Sequence, residues 1–256
     1  MTRILYKYLD IDGAKCMLGK KDLQFTNATQ FNDPFDCHPK LFDYSKVPES
    51  RLQGWLPEDF WKAKEENDAI NTRDETWLCS LSKVYDSILM WSHYCYNHKG
   101  VCIGLDIDKI PESVPPKFGV IYLKPFLRDV NYQDIIQRPS AYGPSADRTM
   151  YQWTTKAKEW EYEQEVRLIM PKPSWTYARL TLEQAKHPKK ERDWREIHFY
   201  LPLKGDCFES IYFGVNIDPT EKETIIKYAR KRLNPRINLY QMQVDPDAFR
   251  LAPEHC

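Results

Sequence analysis

The stretch Trp160-Glu161-Tyr162-Glu163-Gln164-Glu165-Val166-Arg167 constrains this chain more than any other. It reads as the start of a β-strand that runs to about Met170. A strand places residues i, i+2 and i+4 on one face, so Glu163, Glu165 and Arg167 share a side, successive side chains roughly 7 Å apart. Val166, Leu168 and Met170 then point the other way, into a core. Like charges on neighbouring positions repel, and a structural role alone explains two such carboxylates poorly. A site for a cationic or electron-poor substrate explains them better. The competing reading is a solvated outer face on which Arg167 neutralises Glu165.

The rest of the chain limits the classes that this strand can serve. With 256 residues, 42% of them hydrophobic, there is enough apolar material for one large domain. Eight Trp and sixteen Tyr suit a core, and also pockets that take flat ligands. A formal net charge of zero argues against a protein built to coat nucleic acid or an anionic membrane. Ile4 to Leu9 reads as a first strand and not as the apolar core of a secretory signal. Seven cysteines, an odd number, fit free thiols in a reducing compartment. The expectation is a soluble cytoplasmic protein with no membrane span; export by a route without such a signal would leave no mark of this kind.

Periodicity and punctuation predict strands at 3–9, 23–28, 76–82, 101–107, 118–123, 198–203, 209–214 and 236–244. Helices are predicted after Asp12 up to Gly19, over 57–67, from Asp86 to just before Gly100, over 150–160, and from an Asp218 N-cap to about Leu233. Gly100 suits a left-handed residue at that helix's end. Residues 139–149 and the charge-rich 186–195 read as loops. Phe31-Asn32-Asp33-Pro34-Phe35-Asp36 is a tight polar turn between aromatics. Strands outnumber helices without strict alternation, so the fold class is α+β.

Several groupings are candidates for chemistry. Cys79, His93, Cys95, His98 and Cys102 lie close in sequence, but no CxxC pair exists and no one helical face gathers them, so metal binding is not expected. On the helix around Met90, the positions Ile88, Trp91 and Cys95 follow a core spacing. His93 reads as a satisfied core histidine or, beside Tyr94, as a ligand contact with Tyr94 stacking on a flat ring. Ser80 and Ser82 share one strand face and are placed to orient a neighbouring carboxylate. No Gly-x-Ser-x-Gly, Walker or Gly-x-Gly-x-x-Gly motif occurs, which agrees with only nine glycines in the chain.

Phe31 to Asp36, Cys79-Ser80-Leu81-Ser82, Met90 to Tyr94 with His98-Lys99-Gly100, Trp160 to Arg167, and Ile211 to Gly214 occur in that order. Together they resemble a bacterial family known as a domain of unknown function, over about Leu5 to Leu251. That family in turn looks like ADP-ribosyltransferases, some phage-borne and some delivered as effectors. The resemblance implies a single domain with a split mixed or antiparallel β-sandwich and NAD, as co-substrate, in its cleft. Glu163-Gln164-Glu165 matches the Glu-x-Glu strand of such enzymes, and Ser80-Leu81-Ser82 their Ser-Thr-Ser strand with Leu in place of Thr. The basic residue of the first strand is a departure: Leu5-Tyr6-Lys7 stands where some members carry Leu-Tyr-His, so Lys7 takes that place, with Arg3 the other choice.

By that resemblance Glu165 binds the ribose 2′-hydroxyl and stabilises the positive charge that develops as the nicotinamide–ribose bond breaks. Glu163 orients or deprotonates the acceptor. Ser80 or Ser82 holds Glu165, and an aromatic residue (Tyr94 first, with Tyr6, Trp91 and His93 also in the set) faces nicotinamide. Arg167 or Lys7 contacts pyrophosphate. The second glutamate of the pair points, by analogy, to a protein arginine as acceptor, and no nucleic-acid partner is implied. Two other classes stay open. One is a metal-dependent nuclease built on Asp33, Asp36, Glu163 and Glu165. The other is a non-catalytic module of the same fold that binds nucleotide or peptide, with Glu163, Glu165 and Arg167 as a structural ion network.

Overall fold

A computed structural model describes residues 3–113, 125–171, 198–235 and 237–256. Its centre is strand β4 (Val101–Asp106), every residue of which is buried. β4 lies between β1 (Ile4–Leu9) and β10 (Phe208–Phe213), antiparallel to both. β10 continues in parallel to β11 (Asn238–Val244), which pairs with β12 (Leu251–His255) at the sheet edge. Side-chain alternation sorts these strands into two cores. Ile103, Leu105, Ile211 and Phe213 face one side, and Cys102 and Tyr212 the other.

The first side is closed by two helices, α1 (Ile11–Lys20) and α6 (Pro219–Arg232), through Ala14, Met17 and Leu18 against Ile225 and Ala229. Each of the larger side chains buried here contributes roughly 1.5–3 kcal/mol. The α6 cap is as predicted: the Asp218 side chain accepts from the Thr220 and Glu221 N–H groups, with Pro219 opening the first turn. The α1 cap differs. Asp10, not Asp12, accepts from the Gly13 N–H, and the left-handed end residue is Lys21, leaving Gly19 inside the helix.

A second set of strands branches from this sheet. β3 (Thr76–Ser82) pairs antiparallel along its whole length with β8 (Glu165–Pro171), which pairs in turn with β5 (Phe126–Asp129). β2 (Asp22–Asn27) joins the far end of β3 and carries β9 (Phe199–Pro202). The two halves meet between β1 and β3 at one registered pair, Tyr6 with Ser82. The protein is thus α+β, as expected, with ten strands among the described residues in one mixed sheet. These ten strands form a branched sheet that parts between β1 and β3.

Four more expectations change. The predicted strand over 160–170 begins only at Glu165, because residues Lys158–Glu163 form a 3₁₀ turn and Gln164 turns left-handed at φ 43°. The predicted helix over 150–160 is α5 (Ser145–Thr154), followed by a short strand β7 (Thr155–Ala157) parallel to β6 (Asn131–Gln133). Two adjacent β-branched residues, Thr154 and Thr155, mark that switch. The 57–67 helix runs longer, as α3 (Glu58–Asp74), after a single turn α2 (Glu49–Leu52).

The helix predicted to reach Gly100 is α4 (Ile88–Tyr94), and the left-handed residues after it are Tyr96, Asn97 and His98. Gly100 is needed for another reason: a Cβ there would fall well inside van der Waals distance of the Leu9 carbonyl oxygen. The predicted strand at 118–123 and the 186–195 segment lie outside the described residues. Among the described residues, no helix is long and apolar enough to cross a membrane. All seven cysteines are free.

Candidate functional site

Where β1 leaves β3, backbone groups that a continuous ladder would pair need other partners. The Lys7 ammonium donates to the Ser80 carbonyl oxygen across the opening at 3.0 Å. The opening is a cleft of about 310 Å³. Its walls are Tyr6, Lys7 and Tyr8 of β1, Ser80 to Ser82 of β3, Phe31, Asn32 and Asp36 of the polar turn, and Tyr94 of α4. Lys156, Glu163 and Glu165 close one end.

The carboxylates are buried, which excludes the solvated-face reading. Glu163 is 4% exposed, Glu165 3% and Arg167 0%. Such charges persist out of water only when paired and hydrogen-bonded. Arg167 provides most of that pairing. Its Nη atoms bind both oxygens of Asp36 at 2.7 and 2.6 Å, and its Nε and one Nη bind both oxygens of Glu165 at 2.9 and 3.0 Å. The remaining N–H donates to the Trp153 carbonyl at 2.8 Å, and the guanidinium lies over the Phe31 ring. All five donors of the guanidinium are therefore engaged inside the protein. Arg167 is a holding residue for Glu165 and has no donor left for a pyrophosphate, contrary to the expectation from sequence.

Lys156, on β7, was not among the expected site residues. It is buried and donates to Glu163 at 2.5 Å and to Glu165 at 3.2 Å, with its ammonium over the Trp160 ring. The place of Lys156 on a strand and not on a helix over 150–160 is signalled only by the two β-branched residues directly before it, Thr154 and Thr155. Burial drives the Lys156 ammonium toward deprotonation, but Glu165 and Glu163 outweigh it and hold its pKa above the ordinary value. Burial likewise raises Glu165, yet Arg167 and Lys156 prevail and bring it down to about 2. For Glu163 burial wins over Lys156, and its carboxyl is raised. Three carboxylates here (Asp36, Glu163, Glu165) are bonded to two cations (Lys156, Arg167), and the Lys7 ammonium on the same cleft wall brings the formal charge of the group to zero.

The two serines divide the positioning. Ser80 lines the cleft with Glu165 and adds to the lowering of that carboxyl's pKa. Ser82 donates to the Glu163 carbonyl oxygen at 2.7 Å, anchoring the turn that aims Glu163. The Glu165 N–H donates to the Tyr132 hydroxyl at 2.8 Å. Tyr94 meets the site with its hydroxyl, which donates to Glu163 at 2.6 Å.

Two expected residues lie elsewhere. Trp91 is fully buried in the second core, its ring edge-on to Tyr8 and its N–H bonded to the Tyr85 carbonyl. His93 is exposed on the outer face of α4 near Tyr162, neither a core histidine nor part of the cleft wall. Of the two basic choices, Lys7 lines the cleft and Arg3 does not; the exposed Arg3 pairs with Asp129 at 3.9 Å. For the nuclease reading, Asp36 already binds Arg167 through both oxygens. No group of three His, Cys, Asp or Glu among the described residues is arranged to hold a metal ion.

Such a site defines a class only broadly: an α+β protein whose split sheet holds buried carboxylates beside a cleft. Residues 90–168 match the model of a family described as a protein of unknown function, DUF2971. The matched segment contains Met90–Tyr94 of α4, all of β4, and Lys156, Glu163, Glu165 and Arg167. No curated protein matches the chain, and no solved structure does.

Proposed function

We propose that this protein is a mono-ADP-ribosyltransferase that moves ADP-ribose from NAD to a protein side chain, an arginine being the first choice. The observation that carries this reading is the buried carboxylate pair Glu163 and Glu165, held in place at the point where β1 and β3 part. Loss of nicotinamide breaks the C1′–N bond, the electron pair leaving with the ring, and positive charge develops on the ribose. A fixed carboxylate in a site of low dielectric stabilises that charge without reorganising. Glu165 is fixed by Arg167. The longer of the two Lys156 contacts, that to Glu165, is the one a ribose hydroxyl would take over. Glu163, with its raised pKa, is the better proton acceptor of the pair and would take the proton lost as the acceptor nitrogen bonds C1′. Lys7 and Tyr6 would meet the cofactor from β1.

The test is NAD consumption by purified protein with cell lysate as acceptor, comparing wild type with Glu163→Gln and Glu165→Gln, each checked by circular dichroism. Turnover in the wild type should fall by about 10²-fold or more in folded Glu165→Gln. Retained turnover in that variant would remove Glu165 from the mechanism.

A second reading is favoured by one observation. The network of Asp36, Arg167, Glu165, Lys156 and Glu163 is internally complete for its cations, as a structural network in a non-catalytic nucleotide- or peptide-binding module would be. It predicts NAD binding without turnover, or no NAD binding.

A further inference from the structure

Lys156 has a cavity on each of two sides. One is the cleft; the other, of about 420 Å³, is walled by Phe35, Ile136 and Trp160, with Asp33 and Thr155 also lining it. Asp33 belongs to the Phe31–Asp36 turn and is 2% exposed. Its Oδ1 accepts the Phe35 N–H at 2.8 Å, while Oδ2 is buried with no hydrogen-bond partner. A carboxylate oxygen out of water needs a donor. The neighbouring cation cannot supply one, since Lys156 is bound to Glu163 and Glu165. Asp134 and Glu159 add carboxylates to the same wall, Asp134 pairing with the exposed Lys158 at 3.2 Å.

The walls state what kind of group fits. Three carboxylates repel an anion. A neutral amide would make no charge-assisted bond to Asp33. An ammonium can sit over an aromatic face, as Lys156 does over Trp160, but it is more strongly hydrated and offers no planar fork of donors. A guanidinium is weakly hydrated, stacks on aromatic faces and presents several N–H donors in a plane. We propose that this second pocket receives an arginine side chain of a protein partner, its guanidinium donating to Asp33 Oδ2 beside Phe35 and Trp160. Arginine binding here stands without the transferase; the claim that the bound arginine is the acceptor rests on that reading. Lys156 is a wall residue of both pocket and cleft, so only its side chain stands between an arginine held there and the Glu163–Glu165 pair that it binds.

The experiment is a titration of Nα-acetyl-arginine N-methylamide into the full chain without NAD, followed by protein NMR or calorimetry. The citrulline analogue, which keeps the shape and loses the charge, is the control. The arginine probe should bind at least about tenfold more tightly than the citrulline probe, and Asp33→Asn should weaken it by about tenfold or more. Asn keeps the Oδ1 acceptor for the Phe35 N–H, so the turn should persist. If Asp33→Asn does not fold, Phe35→Ala, on a half-exposed ring, takes its place with a several-fold loss expected. Equal affinity for the two probes, unchanged affinity in the folded variants, or no binding at millimolar probe would overturn the assignment. Arginine binding with no NAD turnover under any condition would refute the transferase and leave the pocket intact.

Discussion

Asp36→Asn is the sharpest probe of how the candidate site is held. The substitution keeps volume and one oxygen but removes the charge that meets Arg167 at 2.6 and 2.7 Å. The guanidinium is 0% exposed, so no water replaces the lost partner. Removing one partner of a buried pair costs on the order of 3–5 kcal/mol, since the charge left behind stays out of water. Glu165 remains on the other edge of Arg167, which places the expected loss near the lower end, about 3 kcal/mol. A protein of this size should then melt roughly 6–12 °C lower. Guanidinium or urea unfolding followed by circular dichroism gives the free energy directly, and the midpoint should drop with the slope unchanged. The cycle closes with Arg167→Met and the double variant, where the two losses should fall short of additivity by about 1–3 kcal/mol. A loss under about 1 kcal/mol in Asp36→Asn, or strict additivity in the cycle, would refute the claim that this turn anchors Arg167 and through it Glu165.

Three further outcomes follow from the same contacts. Glu165 titrates near 2 in the folded protein, below its ordinary 4.5, so the unfolded chain binds more protons between those values. Its contribution to stability is therefore complete above about pH 4.5 and is lost as pH falls toward 2; urea midpoints against pH should slope less in Glu165→Gln. Gly100→Ala should destabilise by about 1–3 kcal/mol or more, because the Leu9 carbonyl in the way is backbone of a central strand; a melting temperature unchanged from wild type would contradict that packing. Asp218→Ala removes the α6 cap and should lower stability by about 1 kcal/mol, measured by denaturant unfolding, while Asp218→Asn should lose far less.

Much of the fold was legible because the signals were local. β3 runs over Thr76–Ser82 as read, since a run of apolar and small residues bounded by charged residues has one reasonable assignment. The α6 helix is marked by Asp218, Pro219 and Glu221 within four positions. The misreadings come where tertiary contacts override local preference. Residues 155–157 carry a lysine and an alanine that suit a helix, yet pairing with β6 draws them into a strand. Gly100 was assigned to a left-handed end, whereas its constraint is the approach of a strand nearly a hundred residues away in sequence.

The site divides in the same way. That Glu165, Arg167 and Ser80 belong together could be read from alternation on two strands, because β3 and β8 are full-length partners, whereas Glu163 sits in the 3₁₀ turn ahead of β8. What alternation could not give is the state of the charges. A face of two carboxylates and a guanidinium can be solvated or buried, and only the turn Phe31–Asp36 decides which, by bringing Asp36 to Arg167 across 131 positions of chain. Once Arg167 is engaged on every donor, the cation that still has a choice is Lys156, which bonds Glu163 at 2.5 Å and Glu165 at 3.2 Å. A ligand that competes for these carboxylates must replace the hydrogen bonds of that ammonium, with a hydroxyl donor such as that of a ribose or with a cation. In the proposed transferase the selectivity of the cleft depends on a residue that sequence periodicity placed on a helix, and exchange of Lys156 is the step on which substrate binding at Glu165 turns.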